Sequence, residues 1–128
     1  MSSPAPLSNQ DLGFFFEPHH HELADELSAV GQVFLDEESQ THDLEYSARV
    51  AHALGAQHNL YQWVVPESGK VDLRALCLIR EMLGYSCPLA DAIFAVQGLG
   101  SYPIVLAGSP AQKAEYLPKI RQGDLIGA

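Results

Sequence analysis

Between Gly108 and Gly123 the sequence writes both ends of a helix in side-chain chemistry, and this stretch constrains the fold more than any other. An apolar run ends at Gly108, a residue that reaches the left-handed C′ conformation without a Cβ penalty. Ser109 then stands at the N-cap, Pro110 at the first helical position and Gln112 at the third, a capping box with a proline start. Lys119 and Arg121 sit near the far end, where the helix dipole favours cations, and Gly123 stops the helix. Residues 124–128 read as the start of an extended segment. A domain rarely stops on the first residues of a strand, so a partner segment is expected elsewhere.

At 128 residues, 47% of them hydrophobic, the chain is long enough for one domain with a core. Residues 1–69 hold eleven acids against Arg49, a formal −10, and residues 70–128 hold five acids against six bases, a formal +1; together these give the chain's −9. No basic footprint for nucleic acid is present, and an acidic face is repelled by anionic membranes. The acidity reads as solvated helix faces. Cys77 and Cys87 are ten apart in apolar surroundings, which is neither a metal nor a redox spacing, and both are expected as buried thiols. A basic region followed by an apolar one is missing from the N-terminus, so a cytoplasmic location is expected. The most apolar window, residues 89–107, contains Asp91, Gln97, two glycines and Pro103. These interruptions suit a buried helix pair better than a membrane span.

The fold class that follows is all-α. Residues 1–13 read as a flexible arm. Phe14, Phe15 and Phe16 form a short aromatic plug before Pro18. A helix over 18–37 carries Leu23, Leu27, Val30 and Phe34 on one stripe, with Gly31 weakening its middle. Thr41 is placed to cap a second helix over 42–58, with Leu44, Ala48, Ala51 and Leu54 or Gly55 facing inward. Residues 61–69 form a connector. Asp72 caps a third helix that Gly84 is expected to stop near Leu83. Ser86 caps a fourth, with Pro88 in its first turn, that ends near Gln97 before Gly98 and Gly100. Residues 102–107 make one more short buried helix. No β-alternation precedes residue 124.

With several buried helices, a proline-initiated apolar helix, a capped helix and a strand start in order, the chain resembles a known family. Pro103-Ile104, Gly108-Ser109, Gln112-Lys113, Tyr116-Leu117-Pro118 and Gly123-Asp124, followed by Ile126-Gly127-Ala128, are similar to the last section of the N-terminal helical domain of acyl-CoA dehydrogenases. Val65-Pro66-Glu67 resembles that family's Val-Pro-Glu loop, here with one glycine, Gly69, where the family writes two. Val96-Gln97 fits a recurring pair in the fourth helix. The resemblance implies residues 14–123 as the helical domain and 124–128 as the start of a β-domain that the chain does not continue. Members carry FAD, form an α,β double bond in an acyl thioester on coenzyme A or a carrier protein, and assemble as oligomers. It also implies that the flavin-contacting segment and the catalytic base lie outside this chain. No catalytic or cofactor-binding residue is therefore expected within it, and FAD is expected to be held mainly by the missing domains. The chain would be a fragment or small subunit, inactive alone, joined to a homo-oligomer or a completing subunit. The alternative from another class is a non-enzymatic helical module that binds a partner chain through its apolar face.

By the same resemblance, the Val96-Gln97 register turns Asp91 and Ala95, one helical turn apart, toward the far end of an acyl pocket. Asp91 either reads a polar or cationic acyl terminus or pairs with Arg74, Arg80 or a backbone donor and shapes the bundle. His19, His20 and His21 are adjacent, so successive side chains diverge by about 100°, and His42, His52 and His58 lack helical metal-pair spacing. All six are expected as surface histidines, with no metal site. Glu67 and Glu81 have no partner base, and no catalytic role is expected of them.

Overall fold

The computed structural model of the chain describes residues 6–37 and 43–127. These form five helices: α1 Pro18–Asp36, α2 Leu44–Ala56, α3 Leu73–Ser86, α4 Pro88–Ala107 and α5 Pro110–Gln122. Two 3-10 turns, Gly13–Phe15 and Leu60–Trp63, lie between them, and no strand occurs among the described residues. The chain divides into two compact units, residues 1–41 with 72–91, and residues 42–71 with 92–128.

The first unit is built on α1 against α3. Leu23, Ala24, Leu27, Gly31 and Phe34 of α1 are buried, as are Ala75, Leu78, Ile79, Met82 and Leu83 of α3. The buried stripe of α1 thus includes Gly31, while Val30 lies at its edge. Gly31 marks a close approach between the helices: a Cβ there would sit 3.0 Å from Ser86 Oγ and 3.2 Å from Met82 Cγ. Of the arm expected over residues 1–13, the described part, 6–13, is anchored by Leu7, which is buried, and by Ser8, whose N–H and Oγ both donate to Glu81 Oε2. The aromatic plug is not buried as a unit. Phe14 is 80% exposed and lies tilted against Phe15, ring centroids 4.3 Å apart, while Phe16 meets the His20 and His21 rings edge-on.

α3 ends later than expected. Gly84 is helical, and the helix runs to Ser86. Its stop is set by Pro88, because the residue before a proline is driven out of the α region. Cys87 is indeed extended there, at φ −158° and ψ 93°. Ser86 therefore closes α3 and does not cap α4. Cys87 is buried as expected, but Cys77 is exposed.

The second unit packs α2 and the Leu60–Trp63 turn against α5, with most of α4 alongside. Asp43 caps α2 by accepting the Tyr46 N–H at 2.8 Å; Thr41, the expected cap, and His42 lie outside the described residues. The buried face is Tyr46, Val50, Ala51, Leu54 and Gly55: Ala51, Leu54 and Gly55 lie as expected, whereas Leu44, 89% exposed, and Ala48 face outward and Tyr46 and Val50 take their place. Tyr46 carries the apolar bulk that moves the face. Gly55 is packed hardest: a Cβ would lie 2.6 Å from Gly123 N and 2.8 Å from Tyr61 Cδ2. Tyr61 donates its hydroxyl to Ala51 C=O at 2.7 Å, and burial pushes its phenol well above the usual range. Val65 is buried with Val105, Leu117 and Ile120, and Arg121 reaches across to donate Nε and Nη2 to Val65 C=O at 3.1 and 2.8 Å.

α4 is one continuous helix of 20 residues where two were expected. Gly98 and Gly100 do not break it. A Cβ at Gly98 would meet Val64 Cγ1 at 3.3 Å, and the Gly100 Cα lies 3.1 Å from where a Gly127 Cβ would stand. Both glycines are thus sites of close approach inside a helix held by packing, which outweighs a propensity loss of about 1 kcal/mol each. In the second unit its buried residues are Phe94, Gln97, Ser101 and Val105, a narrow stripe at helical period. By length and composition alone α4 could cross a bilayer. α5 agrees with the sequence at both ends: Ser109 Oγ accepts the Gln112 N–H, Gln112 Oε1 accepts the Ser109 N–H, and Gly123 is left-handed at φ 81°. Gly108 is not left-handed, however. It is glycine because a Cβ would stand 2.6 Å from Ile104 C=O.

The two kinds of glycine separate in a stability measurement. Gly55→Ala should lower the urea unfolding free energy by about 2 kcal/mol, because the backbone at Gly123 cannot move aside. Gly84→Ala, where the nearest atom to a Cβ is Asp91 Oδ2 at 4.0 Å, should raise it by about 0.5–1 kcal/mol.

Candidate functional site

Two arrangements in the first unit join helices through charge. At the start of α3, Asp72 Oδ1 accepts the Arg74 and Ala75 N–H groups at 3.1 Å each, a helix cap. The same carboxylate meets His19 Nε2 at 3.0 Å and His20 Nε2 at 2.9 and 3.0 Å. His20 is 0% exposed. Its Nδ1 accepts the Glu17 N–H at 2.9 Å, so the ring proton stands on Nε2 and is donated to Asp72. Burial works to raise the Asp72 pKa, but the hydrogen bonds from His19, Ala75 N–H and His20 outweigh it and hold the carboxyl at about 2.

The histidine tract is therefore not uniformly on the surface. His21 turns away to accept from Asn9 Nδ2 at 3.0 Å, while His19 and His20 converge on one carboxylate, their ring centroids 3.9 Å apart. Offering donor atoms within 4.8 Å of one another, Glu17, His19 and His20 form a group of metal-ligand type. The buried His20 spends both nitrogens on capping: Nδ1 closes the start of α1 and Nε2 serves the cap of α3. The sequence signal for this was Asp72 together with a histidine three residues after Glu17, in the place a capping box usually gives to Glu or Gln.

The second charged arrangement is Arg80 with Asp91. Nε and Nη2 of Arg80 donate to the two Asp91 oxygens at 2.8 Å each, a bidentate fork. Hydrogen bonding to Asp91 raises the Arg80 pKa. Asp91 thus has Arg80 as its partner, one of the residues its sequence context offered; Arg74 instead donates to Phe15 C=O at 2.7 Å and approaches Glu17. Glu81 is occupied by Ser8, and Glu67 lies 3.6 Å from Arg121.

In the second unit, Ala95 is half-buried on α4, and Val96, Leu99, Tyr102 and Leu106 are exposed along the same helix, Leu99 at 76% and Leu106 at 69%. Beside α5 is a cleft of about 330 Å³ lined in part by Pro66, Glu67, Val105, Lys113, Leu117 and Arg121. Among the polar side chains of this unit, Gln97 is 0% exposed. Its Nε2 donates to Ile120 C=O at 3.2 Å and Leu125 C=O at 2.9 Å, and its Oε1 accepts the Gly127 N–H at 2.6 Å. The sequence marked Gln97 only as a register residue. Nothing local told that its carboxamide is buried against residues 120–127.

The Asp72 knot makes a direct prediction. Asp72→Ala removes a cap and strands the buried His20 N–H, so it should cost about 2–4 kcal/mol in urea unfolding; Asp72→Asn, which still caps, should recover about 1 kcal/mol of that.

No curated protein matches the chain in a sequence comparison. A comparison with protein families matches residues 17–124 to the domain described as "Acyl-CoA dehydrogenase, N-terminal domain". That span begins one residue before α1 and ends one residue past the Gly123 stop of α5, so it takes in all five α-helices of the described residues. The chain belongs to the acyl-CoA dehydrogenase family and carries its N-terminal helical domain.

Proposed function

We propose that the chain works as the N-terminal domain, either a fragment or a small subunit, of an FAD-dependent acyl-CoA dehydrogenase that introduces an α,β double bond into an acyl thioester. The observation that carries this beyond family membership is the exposed apolar row on α4, Val96, Leu99, Tyr102 and Leu106. A soluble protein rarely leaves so continuous an apolar helix face to water. Covering it with the rest of such an enzyme, or with a neighbouring subunit, removes that cost.

The chain's own residues fit a wall and not a flavin cradle. The exposed side chains of α4 are apolar, Arg80 is engaged by Asp91, and Arg121 is turned onto Val65 C=O. When bound to the completed enzyme, FAD would supply the hydride-accepting chemistry. The base that removes the α-proton would come from outside this chain. What this domain contributes is shape: Ala95 keeps one position of the pocket wall small, and Asp91 places a carboxylate one turn earlier on α4. An acyl group whose far end is polar or cationic would compete for Asp91 against Arg80. The alternative, a helical module without enzymatic activity that binds a partner chain, uses the same apolar row.

Co-expression with the β- and C-terminal domains of an acyl-CoA dehydrogenase tests the reading. A yellow complex containing both polypeptides is expected; a colourless sample with the chain unassociated would contradict it. In the yellow complex, Asp91→Ala should shift kcat/KM toward acyl groups with plain alkyl ends by about tenfold, a discrimination of 1–2 kcal/mol. Its cost to stability should be only about 0.5–1 kcal/mol, because Arg80 is half exposed. An unchanged substrate profile would leave Asp91 a purely structural partner of Arg80. Ala95→Leu should shorten the accepted acyl chain, seen as a loss of kcat/KM for the longest substrates alone.

A further inference from the structure

The turn at residues 66–69 and helix α5 form two walls of one cleft in the second unit, about 330 Å³ in volume. That is near the small end for a ligand site. Its floor belongs to the core: Val105 and Leu117 are buried and cluster with Val65 and Ile120. The turn wall is held in place. Gly69 N–H donates to Pro66 C=O at 3.0 Å, which closes the turn, and Lys70 N–H donates to Ser68 Oγ at 3.2 Å.

The α5 wall carries two cations, in a chain whose net charge is −9. Lys113, Leu117 and Arg121 follow at i, i+4 and i+8, so they share one face of the helix, with a cation on either side of an apolar residue. Arg121 is fixed. Its Nε and Nη2 donate to Val65 C=O at 3.1 and 2.8 Å, and its side chain is 22% exposed. Nη1 is the nitrogen left over, and Glu67 Oε1 lies 3.6 Å from it. That is too long for a good hydrogen bond. Glu67 is also 88% exposed, so water competes for its carboxylate and the pair is weak. The Lys113 ammonium has neither a hydrogen bond nor an ion pair among the described residues. A fixed guanidinium edge and an unengaged ammonium thus stand over an apolar floor, with the chain's own loosely held carboxylate beside them.

We propose that this cleft binds a small carboxylate with an apolar body. The carboxylate displaces Glu67 from Arg121 Nη1 and draws in Lys113, and the body lies on Val105 and Leu117. A carboxylate is named over other anions because Glu67 already presents one to Arg121. Charge selects the ligand: a cation is repelled by Lys113 and Arg121, and a neutral molecule of the same shape leaves both without an anion. The volume selects its size, since a folded protein partner needs a contact area well beyond one such cleft. The site does not rest on the function proposed above and needs neither FAD nor an acyl thioester.

The probe is hydrocinnamate, with hydrocinnamamide as its uncharged control, each titrated into the 128-residue chain and followed by amide chemical shifts in NMR. Saturable shifts are expected at Ser68, Gly69, Lys113 and Leu117, with a Kd of about 1–5 mM for the acid and at least about tenfold weaker for the amide. Lys113→Met should weaken the acid about tenfold, the loss of one charge-assisted contact. Lys119→Met removes an exposed cation of α5 that does not line the cleft and should leave the Kd unchanged. Glu67→Gln should tighten binding about threefold by removing the resident carboxylate, a gain that lost stability cannot produce. The absence of saturable shifts at these residues with about 20 mM acid overturns the site. Equal affinity for acid and amide overturns the role of charge. Equal weakening by Lys113→Met and Lys119→Met overturns the assignment of Lys113, and a Kd unmoved by Glu67→Gln overturns the displacement of Glu67.

Discussion

A buried primary amide has to satisfy two donors and an acceptor, and the second unit is arranged around that requirement. Leaving one such group unpaired costs about 1–3 kcal/mol, comparable with a large core truncation. Gln97 meets it by drawing in three backbone groups from residues 120, 125 and 127. For those groups to arrive, the chain must turn sharply after α5, and Gly123 does so at φ 81°. The turn in turn needs a neighbour without a side chain, which is Gly55 on α2. One polar side chain thus explains why small residues recur at 55, 100, 101, 123 and 127. None of these residues contributes apolar burial of note; they make room for backbone to approach backbone.

The first unit solves a similar problem with charge. The starts of α1 and α3 each expose unpaired N–H groups, and His20 and Asp72 satisfy them jointly. Asp72 would be raised in pKa by burial alone; the donors gathered on it reverse the sign and keep it ionised. The network fixes helix ends and helix pairing at once, since α1 and α3 also share the core of Leu27, Phe34, Leu78 and Ile79. The bidentate Arg80–Asp91 pair then ties α3 to the first turn of α4.

Much of this fold was legible because its signals are local. The Ser109–Gln112 box, the Gly123 stop and the Asp72 cap depend on neighbours within four residues, and all three are as the sequence places them. Errors arose where a distant residue decides. Gly84, Gly98 and Gly100 look like breakers, but whether a glycine ends a helix depends on packing, and here a following proline or a close neighbour sets the outcome. On α2 the spacing finds Ala51, Leu54 and Gly55 but puts Leu44 and Ala48 inward in place of Tyr46 and Val50, because a spacing argument gives no weight to the large Tyr46 ring. His20 is buried where the sequence suggests a surface residue, because one of its two partners, Glu17, is near in sequence but the other, Asp72, is 52 positions away. At the candidate site, Arg80 could be named beforehand as one of the bases available to Asp91, whereas the contacts of Gln97 span up to 30 positions and left no trace in spacing.

The proposed function rests on one physical claim, that other polypeptide covers Val96, Leu99, Tyr102 and Leu106, which are exposed on α4. The most direct measurement is the fluorescence of an apolar surface dye with the chain alone and again after assembly with the β- and C-terminal domains. The account predicts strong dye binding by the chain alone, reduced by Leu99→Ser with Leu106→Ser, and largely lost on assembly. A chain that is monodisperse and binds no dye on its own, or an assembly that binds as much dye as the free chain, would contradict it.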